Sequence, residues 1–93
     1  MNTITDYLEF IKIKNQIRQY LNEFDWEFTH YLDDIYSEEK GHTYVFNTDN
    51  YCYEVKFCID HQKIKITKIS KEQAFVQTKF IKKYVDFLDL LEN

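Results

Sequence analysis

Tyr51-Cys52-Tyr53-Glu54-Val55-Lys56-Phe57-Cys58-Ile59, followed closely by Lys63-Ile64-Lys65-Ile66-Thr67-Lys68-Ile69, is the stretch that decides the fold. In the first run the odd positions are apolar and the even ones mostly polar; the second run alternates as well. A period of two is the mark of a half-buried strand, because successive side chains point to opposite faces of a sheet. Asp60-His61-Gln62 joins the two runs as a hairpin, and register decides the length of its loop. An even-length loop sets Phe57 and Val55 on the same face as Ile64 and Ile66, whereas a three-residue loop without a bulge sets those residues against lysines. The even loop is therefore expected.

Moving upstream, His42 to Thr48 reads as a further strand that turns at Asp49-Asn50, a pair suited to positive φ. That turn brings Tyr44 and Phe46 onto the buried face. Earlier still, Trp26, Phe28, His30 and Leu32 alternate with Glu27, Thr29 and Tyr31, which reads as a strand or as an extension of the helix before it.

The period changes on both flanks. From Ile4 to Phe24 the apolar residues Ile4, Tyr7, Leu8 and Ile11, then Phe10, Ile13, Ile17, Tyr20, Leu21 and Phe24, recur at helical spacing. Thr3 or Thr5 is the expected cap, with Asp6 and Glu9 in the first turn where the helix dipole favours carboxylates. At the other end Ser70-Lys71-Glu72-Gln73 has the form of a capping box. After it Val76, Phe80, Ile81, Tyr84, Val85, Phe87, Leu88 and Leu91 make an apolar stripe, opposed by Lys79, Lys82, Lys83, Asp86 and Asp89, which predicts a second amphipathic helix. The reading is a single α+β domain, 1–93, of two layers. It runs α-β-β-β-β-α, a four-stranded antiparallel meander with N- and C-terminal helices packed on one face.

Composition sets the functional bounds. The 93 residues are 44% hydrophobic and 18% aromatic, so one ring-rich core is expected. Charge interrupts every apolar stretch well short of a membrane span, and no basic start followed by an apolar block marks a secretory signal, so a cytoplasmic protein is expected. Cys52 and Cys58 lie six residues apart on one strand, about 20 Å when extended, which predicts free thiols. A net charge of -4 argues against direct nucleic-acid binding. Ala74, Gly41 and Arg18 are each the only residue of their type and proline is absent, a bias toward AT-rich codons such as a low-GC bacterium or its phages carry.

Three groups of residues could carry chemistry. Glu54-Val55-Lys56 is an E-x-K on a strand, with Asp33, Asp34 or Asp49 upstream as a further acid. It resembles the core motif of the PD-(D/E)xK nucleases, which implies a divalent ion held by carboxylates and a lysine that positions the attacking water. The resemblance covers three residues; no proline precedes an aspartate, and no strand is expected after the last helix. His30, His42 and His61, alone or beside Cys52 or Cys58, match no zinc spacing. Read plainly, His61 is a turn residue and His30 a partly buried imidazole. A single glycine excludes phosphate loops that need several. No catalytic, metal or cofactor site is assigned, and the chain is read as a non-enzyme.

Asp33-Asp34-Ile35-Tyr36-Ser37-Glu38-Glu39 is the remaining feature. Acidic loops are commonly just solvated. With Ile35 and Tyr36 inside it, however, the segment also has the composition of an interface, with rings as anchors and carboxylates that steer a basic partner. Asp33, Asp34, Ile35, Tyr36, Glu38 and Glu39 are the expected partner-binding residues, with Asp25 and Glu27 extending the patch. The partner expected is a protein with a basic surface, such as a nucleic-acid-binding effector. In type, the chain resembles the small inhibitors that phages and mobile elements direct against host defence nucleases, the anti-CRISPR and anti-restriction proteins. The alternative is an immunity protein or antitoxin that neutralises a basic toxin. The outer sheet face, expected to bear Tyr31, Val45, Cys52 and Cys58 among Glu54, Lys56, Lys63 and Lys65, offers a second surface. A sheet edge at 26–32 or 63–69 would allow a partner strand or a homodimer.

Overall fold

The computed structural model describes residues 3–23, 30–33, 41–73 and 75–92. The elements in order are α1 (Tyr7–Glu23), β1 (His30–Asp33), β2 (Gly41–Asn47), β3 (Tyr51–Cys58), β4 (Lys63–Ser70), β5 (Val76–Phe80) and α2 (Tyr84–Glu92). All five strands form one antiparallel sheet in the order β1-β2-β3-β4-β5. The α+β architecture with a helix at each end of a meander is as expected, and the meander carries one more strand.

The central hairpin has the expected register. Four residues, 59–62, separate β3 from β4, and Phe57 pairs with Ile64 and Val55 with Ile66. Gln62 closes the loop at a φ of 50°, and its N–H donates to the Ile59 carbonyl at 3.3 Å. Tyr53, Val55, Phe57, Ile64 and Ile66 are all buried, as is Phe46 on β2. The Phe46 ring stacks on Tyr53 with centroids 4.7 Å apart, and Tyr44 meets Phe57 edge-on. From the helices Phe10, Ile13, Ile17 and Leu21 on α1, and Phe87 and Leu90 on α2, complete the same core. Both helices therefore cover one face of the sheet.

Four local expectations are corrected. Asp6, not Thr3 or Thr5, caps α1: its Oδ1 accepts the N–H groups of Leu8 at 3.0 Å and Glu9 at 3.5 Å, and its carbonyl takes that of Phe10. Ile4 and Thr5 instead form a strap over the β3–β4 turn, where Gln62 Nε2 donates to both their carbonyls. The α1 stripe is narrower than expected, since Tyr7 and Leu8 are exposed. Asp49-Asn50 turns without positive φ; among the described non-glycine residues only Gln62 has one. The turn is held by Thr48, whose N–H donates to the Tyr51 carbonyl and whose Oγ1 accepts the Tyr51 N–H.

The largest difference is at Ser70. Half of the expected capping box forms, with the Gln73 N–H on Ser70 Oγ at 3.3 Å. It closes a hairpin turn, not a helix, because the Ser70 N–H donates to the Phe75 carbonyl. Lys71 anchors this turn to the neighbouring one, its N–H on the Asn50 carbonyl and its Nζ on the Thr48 carbonyl at 2.7 Å. β4 carries the buried Ile64, Ile66 and Lys68 and needs a ladder partner on both sides more than the exposed β5 does, a tertiary demand that outweighs local helical periodicity. Val76 and Phe80 consequently belong to a strand, and α2 starts only at Tyr84. Its first turn is closed by Asp86, whose Oδ2 accepts the Lys83 N–H. Phe87 and Leu90 are its anchors, with Ile81 buried just before it, while Val85 is exposed. Among the described residues no helix is long and apolar enough to cross a membrane.

Candidate functional site

β1 is one edge of the sheet. Its register sets His30 opposite Val45, Tyr31 opposite Tyr44, Leu32 opposite Thr43 and Asp33 opposite His42. Asp33 ends β1. Asp34, Ile35, Tyr36, Glu38 and Glu39, like Trp26 and Phe28 before the strand, lie outside the described residues.

The outer face carries Val45, Cys52, Cys58, Glu54, Lys56, Lys63 and Lys65 as expected. Lys56 pairs directly with Lys65, so two ammonium groups share the centre of this face. Glu54 is exposed between Val45 and Thr67. The E-x-K pair is therefore placed in the outer row, Asp33 is at the end of β1 opposite His42, and Asp49 sits in the β2–β3 turn. Neither cysteine of β3 forms a disulfide, Cys58 being buried and Cys52 half-buried. His61 is an exposed turn residue. Among the described residues no group of three His, Cys, Asp or Glu side chains could hold a metal ion.

Two features were not singled out from the sequence. Lys14 and Arg18 on α1 face His42 and Tyr44 on β2 across an open cleft of about 260 Å³. Lys14 Nζ stands 6.0 Å from the centre of the Phe57 ring. Burial, and then the Arg18 charge, lowers the Lys14 pKa below its ordinary value. Chemically the cleft suits an anionic group. The sequence signal was the spacing of four between Lys14 and Arg18, which puts both on one helix face.

Lys68 is the other. It is only 2% exposed, sits on the helix-side row of β4, and donates from Nζ to the Leu90 carbonyl in the last turn of α2 at 2.9 Å. The ammonium also lies 4.2 Å from the Tyr51 ring centre and 5.7 Å from that of Tyr53. A cation there satisfies a helix C-terminus and is held by two ring faces. Burial lowers its pKa. Its signal was parity, since Lys68 falls in step with Ile64 and Ile66. No protein-family model, curated protein or solved structure matches this chain.

Proposed function

We propose that this chain is a small protein-binding inhibitor that presents the acidic segment at and after the end of β1, Asp33, Asp34, Ile35, Tyr36, Glu38 and Glu39, to a basic groove on a nucleic-acid-binding effector. The observation that carries the reading is charge segregation along the chain. Asp25, Glu27, Asp33, Asp34, Glu38 and Glu39 cluster within residues 25–39, offset locally by Lys40 alone. The other residues hold ten carboxylates against eleven basic side chains, so this one stretch carries the chain's net negative charge. It flanks a strand of four residues at the sheet edge. Carboxylates concentrated in one stretch of chain steer a cationic surface toward it and occupy the positions where phosphates would bind. A host defence nuclease has such a surface. So does a basic toxin, the alternative target, and the partner's identity decides between them.

The test is affinity capture from native or infected host lysate with tagged wild type and with the triple variant Asp33→Lys, Asp34→Lys, Tyr36→Ala. One stoichiometric partner, recovered by wild type and lost by a folded variant, supports the reading. Equal recovery by both forms removes the acidic segment from consideration.

A further inference from the structure

We propose that β5 is a self-association edge, and that two copies of this chain join through it into one continuous ten-stranded sheet about a two-fold axis at Thr78. The proposal goes beyond the acidic segment and rests on different residues. β5 is the last strand in the order, with β4 on one side and, among the described residues, no strand on the other. Val76, Gln77 and Thr78 are exposed, Lys79 and Phe80 half-buried. Neither face of this strand is covered as the central strands are.

Hydrogen bonding shows which groups the edge presents. The Ser70 N–H donates to the Phe75 carbonyl, and the Ile81 N–H to the Ile64 carbonyl. Both pairs belong to the β4–β5 register that sets Ile69 opposite Val76 and Lys65 opposite Phe80. In an antiparallel ladder hydrogen-bonded and non-bonded pairs alternate. Phe75, Gln77, Lys79 and Ile81 therefore turn their backbone groups toward β4. Val76, Thr78 and Phe80 turn theirs outward, a row of donors and acceptors ready for another strand.

A second β5 meets this row best in one register. Antiparallel pairing centred on Thr78 sets Thr78 against Thr78 of the other copy, Val76 against its Phe80, and Gln77 against its Lys79. All five residues overlap, every outward backbone group finds its counterpart, and the cross-strand pairs are of favourable type. Sliding by two residues one way sets Lys79 against Lys79. Sliding the other way leaves only three residues of each β5 in register. At both ends the antiparallel arrangement brings the exposed Glu72 of one copy toward the exposed Lys82 and Lys83 of the other. Val76, 57% exposed, also gains a ring across from it. An isologous contact of this kind closes on itself and does not propagate. It also sets the two β1 edges at opposite ends of the sheet, roughly 45 Å apart at the usual strand spacing, so the dimer is bivalent.

The experiment is sedimentation equilibrium of the full chain from micromolar to millimolar concentration, with variants at Thr78. Thr78 turns its backbone away from β4, so a side-chain change there leaves the intramolecular ladder intact. Circular dichroism checks that each variant is folded. Wild type is expected to dimerise. Thr78→Lys and Thr78→Glu each set like charges together at the axis and are expected to weaken self-association by about tenfold or more, while an equimolar mixture of the two restores it. A wild type that stays monomeric throughout overturns the proposal. So does a dimer that both variants leave unchanged, or one that mixing them does not restore.

Discussion

Replacing Lys68 by methionine keeps the buried side chain up to its fourth atom and removes the terminal ammonium. Three terms set the outcome. The hydrogen bond from Nζ to the Leu90 carbonyl is lost, and since Leu90 is 3% exposed its acceptor is left without water; that costs about 1.5–3 kcal/mol. The ammonium also leaves the Tyr51 and Tyr53 rings, worth about 1 kcal/mol. Against these, the desolvation that lowers the Lys68 pKa is relieved, which offsets part of the loss. The net expectation is a destabilisation of about 2 kcal/mol, because an orphaned carbonyl outweighs partial relief of one ammonium. With a urea slope of about 1.5 kcal/mol/M for a domain of this size, the midpoint falls by roughly 1.3 M at unchanged slope. Urea unfolding followed by circular dichroism measures it, with Lys63→Met on the outer face as a control expected within about 0.5 kcal/mol of wild type. A Lys68→Met protein as stable as wild type would refute the reasoning: α2 would then be held by its apolar anchors alone.

Alkaline stability tests the same corner of the core. Burial, with smaller contributions from Tyr51 and Tyr20, raises the Tyr53 pKa from 10 to about 12. Its contribution is thus full below pH 10 and lost as pH rises through about 12, whereas the lowered pKa values of Lys68 and Lys14 make their contributions full above 10.5 and lost as pH falls through the folded values. Urea midpoints between pH 8 and 12 should rise to about 10 and then fall, and Tyr53→Phe should remove the Tyr53 part of the falling limb. Phe46→Ala is expected to cost about 3–5 kcal/mol by thermal or urea unfolding, since the ring is fully buried on Tyr53, and Leu8→Ala, 76% exposed, less than about 0.5. Gly41→Ala should destabilise by about 1–3 kcal/mol, because a Cβ there meets the backbone carbonyl oxygen of Phe57; an unchanged melting temperature would show that β2 and β3 can separate at that end.

The parts of the fold that could be read from the sequence are those where pattern and tertiary structure agree. Phe57, Ile64, Val55 and Ile66 allow only one register, since a slip would bury lysines, and the structure has that register. Ser70 to Phe80 misleads because two local signals point to a helix while the deciding term is the pairing demanded by the buried strand β4, a non-local demand. Val76, Thr78 and Phe80 do alternate, but Ile81 and Tyr84 continue a helical spacing that hides it. The strap from Ile4 to Gln62 and the Lys68 bond to Leu90 join residues far apart in sequence, where periodicity carries no information. At the candidate site, the acidic composition was evident from the chain alone, whereas the Lys14, Arg18, His42 and Tyr44 cleft needed α1 laid across β2.

The central claim is that the acidic segment at and after the end of β1 is what the partner recognises. Its most direct test is titration of the recovered partner with wild type and with Asp33→Lys, Asp34→Lys, Tyr36→Ala, at low and at near-physiological salt. Affinity that falls as salt rises, and that falls by about 100-fold or more in the variant, is the expected result for a charge-steered segment with an aromatic anchor. Equal affinity for both proteins, independent of salt, would contradict it and move the binding surface to another face of the sheet.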